Sequence, residues 1–337
     1  MTYTKTEKIC CFGELLLRFA LPQQWISKQS LPYYIGGAEL NVATALARWK
    51  KTAGYVTALP DNYMGKELYA YIKNIGISAD NIDFSGKRVG TYYLPEGNDV
   101  KSHGVIYDRE YSSFSMLKPG AIDWDAVFND CTWFHFSAIS PALNKEVALV
   151  CREAVEAAHA KGLKISVDLN YRDKLWKYGV TPPQVMQDIV KHCDVVMGNM
   201  WSAESLLGIE SPIKSSIDVP EAVLSEGAVE SMRRLQESFP KATTIAYTHR
   251  FTDKYWGIVQ QSGQSFISDI HKLQDTNGPV GSGDCFMAGL IYAIISNYEP
   301  NEMVNFATSA AVGKLYESGD ATNQSVEDIK KRMYGKK

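Results

Sequence analysis

Near the C-terminal end of the sequence, Gly281-Ser282-Gly283-Asp284 runs straight into the apolar stretch Cys285-Phe286-Met287-Ala288-Gly289-Leu290-Ile291-Tyr292. Two glycines let a backbone turn tightly and approach a ligand closely. The apolar stretch reads as a helix buried on nearly all sides. The loop N–H groups and the positive end of the helix dipole then converge on one point, which suits an anion, most simply a phosphate. Asp284 stands at its edge. A carboxylate beside an anion site is electrostatically awkward, and phosphoryl transfer gives it a purpose. The acid takes a hydroxyl proton while the amides hold the charge developing on the phosphate. The plainer alternative is an Asp that caps a helix.

A second segment, Gly36-Gly37-Ala38-Glu39-Leu40-Asn41-Val42-Ala43, opens a helix over residues 38–51, and Gly54 and Gly65 follow. It resembles the N-terminal signature of the ribokinase-like (PfkB) carbohydrate kinases, and the 281–284 stretch resembles their C-terminal signature. The two stand in the family's order, near opposite ends of the chain, and the resemblance spans essentially all of it. It implies that Gly36, Gly37 and Asn41 lie against the sugar. It makes Asp284 the catalytic base, with Gly281, Ser282 and Gly283 as the loop holding the transferring group. It also implies a single α/β domain over residues 1–337, with a mostly parallel central sheet flanked by helices and a small β lid. ATP, Mg2+ and a small-molecule sugar come with it.

Three details resemble the 2-keto-3-deoxygluconate kinases within that family. They are Tyr92-Tyr93-Leu94 with Val105-Ile106-Tyr107-Asp108-Arg109, then Val167-Asp168-Leu169-Asn170-Tyr171-Arg172, and Ser318-Gly319-Asp320. The resemblance places Tyr93, Tyr107, Arg109, Arg172 and Asp320 around a keto-acid, with Glu14 touching sugar hydroxyls. Independently of it, an arginine fork suits a carboxylate through two parallel hydrogen bonds, which a neutral hexose does not require. The expected reaction is ATP-dependent phosphorylation of 2-keto-3-deoxygluconate to 2-keto-3-deoxy-6-phosphogluconate. Plainer roles stay open: Arg109 as a surface charge on the lid, Arg172 as a partner of Asp168 or Asp173, the tyrosines as strand formers, and Glu14 as a strand end facing water. Two rival functions also stay open: another kinase of the family acting on fructose, ribose or a nucleoside, and a catalytically idle sugar-acid-binding regulator.

On the nucleotide side no G-x-x-x-x-G-K-[ST] loop occurs, and His249-Arg250-Phe251 is not a protein-kinase catalytic loop. The resemblance implies Asn199, Thr248 and Arg250 on the phosphate side and Asn305 beside the adenine, where an ordinary helix Asn is the competing view. The family's Asn-x-x-Glu metal motif is altered. In Asn199-Met-Trp-Ser-Ala-Glu204 a serine stands at the Glu position, so Glu204 is the expected Mg2+ contact, through water. Asp275 precedes Asp284 by nine positions, three more than the family pattern, which lengthens the loop over the phosphates.

The elements that must position these residues read as alternating strands and helices. Residues 8–19 form a strand interrupted at Gly13-Glu14, and residues 52–59, 131–138, 163–169, 193–197 and 243–248 form further strands. Helices fall at 65–74, 144–161, 182–191 and 220–237, with Gly162 stopping the second. Such alternation argues a parallel sheet covered on both faces. Residues 88–117 break the rhythm: strand pieces at 90–94 and 104–107 flank a polar turn at 95–99. With residues near 14–36 they form the expected lid. Its aromatic content and exposed edges predict a homodimer through paired lids.

The whole composition is that of an ordinary globular protein: 337 residues, 45% hydrophobic, 22% charged, net charge −3. No nucleic-acid or membrane partner is expected from it. Residues 1–8 lack a signal-peptide core. Six scattered cysteines without a C-x-x-C spacing read as reduced packing residues, so a cytoplasmic enzyme is expected.

Overall fold

The computed structural model describes residues 7–96 and 104–335. Six parallel strands lie side by side in the order Thr52–Val56, Lys8–Phe12, Trp133–Ser137, Lys164–Asp168, Val195–Gly198 and Thr244–Arg250. Lys254–Gln261 and Gln264–Ile267 extend this sheet antiparallel. That antiparallel edge goes beyond the sequence reading. Its hairpin turns on Ser262-Gly263, both at positive φ, as a two-residue loop requires.

Alternate residues of each central strand enter different cores. Cys10 and Phe12 face one side with Phe134 and Phe136, while Ile9 and Cys11 face the other with Leu40 and Phe286. Helices cover both sides, which is why the central strands are buried on both faces and mostly apolar. Helix Lys145–Ala160 is capped by the Asn144 side chain and ends before Gly162 in the left-handed conformation. All six cysteines are buried thiols. Among the described residues no helix is long and apolar enough to cross a membrane.

The strand read at 8–19 divides between two sheets. Lys8–Phe12 stays in the central sheet, and Leu16–Leu21 pairs with Tyr33–Gly36, Gly90–Pro95 and, through the latter, Ile106–Asp108. This four-stranded lid has two unlike faces. Tyr107, Tyr92, Arg18 and Tyr34 align across the inner one; Ile106, Tyr93, Phe19 and Tyr33 align across the outer one. The polar turn expected at 95–99 lies, from residue 97 onward, outside the described residues.

Helix Ser282–Ile295 lies against helix Pro300–Lys314 with almost no clearance. A Cβ on Gly289 would come within 2.8 Å of Ala307 Cα. Gly289→Ala gains about 1 kcal/mol of helix propensity but overpacks a backbone contact at about 1–3 kcal/mol. We expect a net loss of stability in urea titration; a gain would mean that the helix pair adjusts freely.

Candidate active site

A cleft opens at the C-terminal ends of the parallel strands, beneath the inner face of the lid. Ligands of open α/β sheets bind in this position. Its floor is the start of helix Ser282–Ile295. Gly281 caps that helix at φ 77°, and a Cβ there would fall 1.9 Å from the backbone oxygen of Asp320. The turn therefore admits only glycine. The Ser282 hydroxyl donates back to Pro279 O at 2.8 Å and shapes the loop. The N–H groups of Gly283 and Asp284 belong to the first turn, where the helix offers no acceptor.

Asp284 is not the cap. It sits within the first turn, buried, and accepts a 2.7 Å hydrogen bond from Asn41 Nδ2. Burial pushes its carboxyl up to about 6, with Asn41, Arg172 and Lys314 pulling the other way and Asp320 adding to the rise. Asn41, expected against the sugar, lines the cleft and orients the acid. Its Oδ1 is buried there without a partner among the described residues. Glu39, two residues before Asn41 and absent from the expected site, is buried and accepts from Ser137 N at 2.9 Å. Burial raises its carboxyl to about 7.

The two expected arginines differ. Arg109 Nε binds the buried Glu14 at 2.6 Å, and Ser112 Oγ donates to the same carboxylate. Both Glu14 and Arg109 line the cleft, but their charges are spent on each other, which leaves Arg172 of the two to meet a carboxylate. Arg172 lines the cleft half-buried, and among the described residues its one hydrogen bond goes from Nη1 to Tyr171 O at 3.1 Å. Asp320 also lines the cleft, held by Arg18 at 2.7 Å and by the Tyr92 hydroxyl at 3.2 Å.

Tyr107 lines the cleft; Tyr93 does not. Strand alternation puts Tyr93 on the outer face of the lid, stacked on Phe19 at 5.3 Å, and brings Tyr92 inward in its place. Gly37 lies in the lining, and Gly36 backs onto the Asp320 carboxylate.

Thr248 and Arg250, at the end of one strand, line the cleft, as does Asn199 at the end of another. Asn199 caps helix Met200–Leu207, with reciprocal bonds to Ser202 of 2.8 and 2.9 Å. The serine that replaces the family's Glu thus completes a capping box. Glu204 is displaced from the expected role: it pairs with Lys214 at 2.6 Å and lies outside the cleft. Asn305 is likewise outside, bridging Asp269 N and Asn301 O. Among the described residues no three acidic, His or Cys side chains converge as a metal cage. The lengthened loop before Gly281 is pinned by Asn277 to Leu315 O and Tyr316 O.

Fold and site together define a sugar kinase of the ribokinase-like class. The chain belongs to the pfkB family of carbohydrate kinases, whose model matches residues 6–326. It is 30% identical to the 2-dehydro-3-deoxygluconokinase of Thermotoga maritima, whose crystal structure superposes with a TM-score of 0.87 over 97% of this chain and 98% of that one. It is 24% identical to the 2-dehydro-3-deoxygalactonokinase of Haloferax volcanii over 98% of each chain. The Xylella fastidiosa fructokinase crystallised with ATP shares the fold, with a TM-score of 0.77, 19% identity and 98% and 99% coverage. The protein is an ATP-dependent sugar kinase.

The Asp284 carboxyl should titrate near 6, protonated below and ionised above. Asn41→Leu removes a donor to the ionised form and should move the midpoint up. Carboxyl 13C shifts against pH measure both; an unmoved midpoint would mean that the amide does not stabilise the carboxylate.

Proposed function

We propose that this kinase acts on a sugar acid, 2-keto-3-deoxygluconate, and forms its 6-phosphate. The observation that carries the reading is Arg172, a guanidinium with one backbone partner that shares the cleft with a buried carboxyl poised to take a proton. The names of two relatives support a sugar acid: the Thermotoga one is a 2-dehydro-3-deoxygluconokinase and the Haloferax one a 2-dehydro-3-deoxygalactonokinase.

In this reading Asp284 accepts the proton of the substrate's primary hydroxyl. That oxygen bonds to the γ-phosphorus as the bond to the β-γ bridging oxygen breaks, and ADP leaves. The first-turn N–H groups of helix Ser282–Ile295 and its dipole meet the charge on the transferring group. Arg172 holds the carboxylate, and Tyr107 faces the hydroxyls. Asn199, Thr248 and Arg250 stand on the nucleotide side. The glycine turn, too crowded for a Cβ, fits a phosphate. Among the described residues no three acidic, His or Cys side chains converge to build a Mg2+ site. Magnesium would enter on the nucleotide phosphates and would neutralise part of their charge.

A coupled ADP assay over 2-keto-3-deoxygluconate, its C4 epimer, fructose and ribose tests the reading. Asp284→Asn should lower kcat by about 10²–10⁴-fold. Arg172→Met should weaken the acid far more than a neutral analogue, by about 1.5–3 kcal/mol. Preference for a neutral sugar would favour the other kinases of the family. Absence of ADP with every substrate would favour a binding protein.

We also propose a homodimer through the lids. Tyr92 and Val105 pack inward against Leu16 and Leu94 and cannot serve it. The outer row can: Tyr33 is 62% and Ile106 58% exposed, flanking half-buried Phe19 and Tyr93. Sedimentation at micromolar concentration should give a dimer that Ile106→Asp dissociates; a monomer would refute it.

A further inference from the structure

Helix Pro300–Lys314 ends on a lysine that is wholly buried, at 0% exposure. The run Ala310-Ala311-Val312-Gly313 before it and Leu315 after it offer no polar side chain. A buried ammonium is costly unless a carboxylate pairs with it. Among the described residues no carboxylate does. Nζ donates to two backbone carbonyls, Gly319 O at 3.0 Å and Glu317 O at 3.3 Å. Burial pulls its pKa below the usual lysine value, opposed by Glu317, Cys285 and Asp320.

The position of this charge is informative. A Cβ on Gly281 would lie 3.3 Å from Lys314 Cε, so the lysine stem supports the glycine turn from behind. Without the ammonium, the carbonyls of Glu317 and Gly319 would turn unpaired negative ends toward the back of an anion cradle. We propose that Lys314 is a positioning residue for phosphoryl transfer. It is a fixed internal cation that holds the 317–319 turn beneath the Gly281 loop and offsets negative charge gathering in front of it. The inference rests on the kinase reading above. Lys314 exchanges no proton with the substrate; it acts through the loop and through its field on Asp284, which also faces Asn41, Arg172, Asp320 and Glu39.

The test uses the full chain with Lys314→Met, which keeps length without charge, and Lys314→Ala, which leaves room for a small amine. Lys314→Met should melt as a folded protein and lose kcat on the order of 10–10²-fold. Its sugar-acid KM should change by less than about threefold. The acid limb of its kcat/KM profile should move up in pH, since a cation that favours ionised Asp284 is gone. Lys314→Ala should regain turnover saturably with propylammonium at constant ionic strength. The proposal is overturned if Lys314→Met keeps kcat within about twofold, if no amine restores Lys314→Ala, or if neither variant folds, which assigns the ammonium to stability alone. A wild-type chain that yields ADP with no sugar overturns the kinase reading itself, whereas an active wild type matched by Lys314→Met overturns only this inference.

Discussion

The hydrogen bond between Asn41 and Asp284 holds together what the rest of the molecule is arranged around. Asp284 begins a helix whose body is apolar on every side, and such a helix must lie deep in the core. Its first turn therefore brings a carboxyl to a depth where ionisation is expensive. The amide of Asn41, on helix Ala38–Arg48, offsets part of that cost, and the two helices pack together. The same contact joins the two signature segments, which the chain keeps far apart.

Charge in the cleft is mostly spent internally. Glu14 with Arg109, and Asp320 with Arg18, are buried pairs that tie lid segments to one another and to the glycine turn. Buried pairs of this kind are weak sources of stability but fix geometry well, because breaking either leaves a charge without compensation. Arg172 and the first-turn N–H groups of helix Ser282–Ile295 stand outside these pairs.

The glycines, Asn41 and Asp284 could be picked out in the sequence because each lies in a short local motif, and the structure brings both motifs to one cleft. Parallel strands were legible for a similar reason: apolar runs such as Val195-Val196-Met197 alternate with helical periods. Tyr92 and Tyr93 were not separable, because strand alternation says that one faces inward without saying which. Glu204 misled because helical spacing alone cannot foresee the capping box that turns Ser202 back onto Asn199. Arg18 and Glu39 gave no signal of their own: an acid in a first helical turn reads as a complement to the dipole, and the partner of Arg18 lies at the far end of the chain. Lys314 left a trace, a lone cation in an alanine-rich run, whose meaning depended on the carbonyls of a turn that follows it.

The two faces of the lid carry a consequence for how such a protein can diverge. Tyr92 and Tyr93 are consecutive, yet one borders the cleft and the other belongs to the outward row. A substitution at either alters one face and leaves the other intact. A single inserted or deleted residue within Gly90–Pro95 would exchange the two faces at once, burying the outward row and expelling the inward one. Selection can therefore retune the lid by replacement, residue by residue, while changes in length are confined to the connections between its strands.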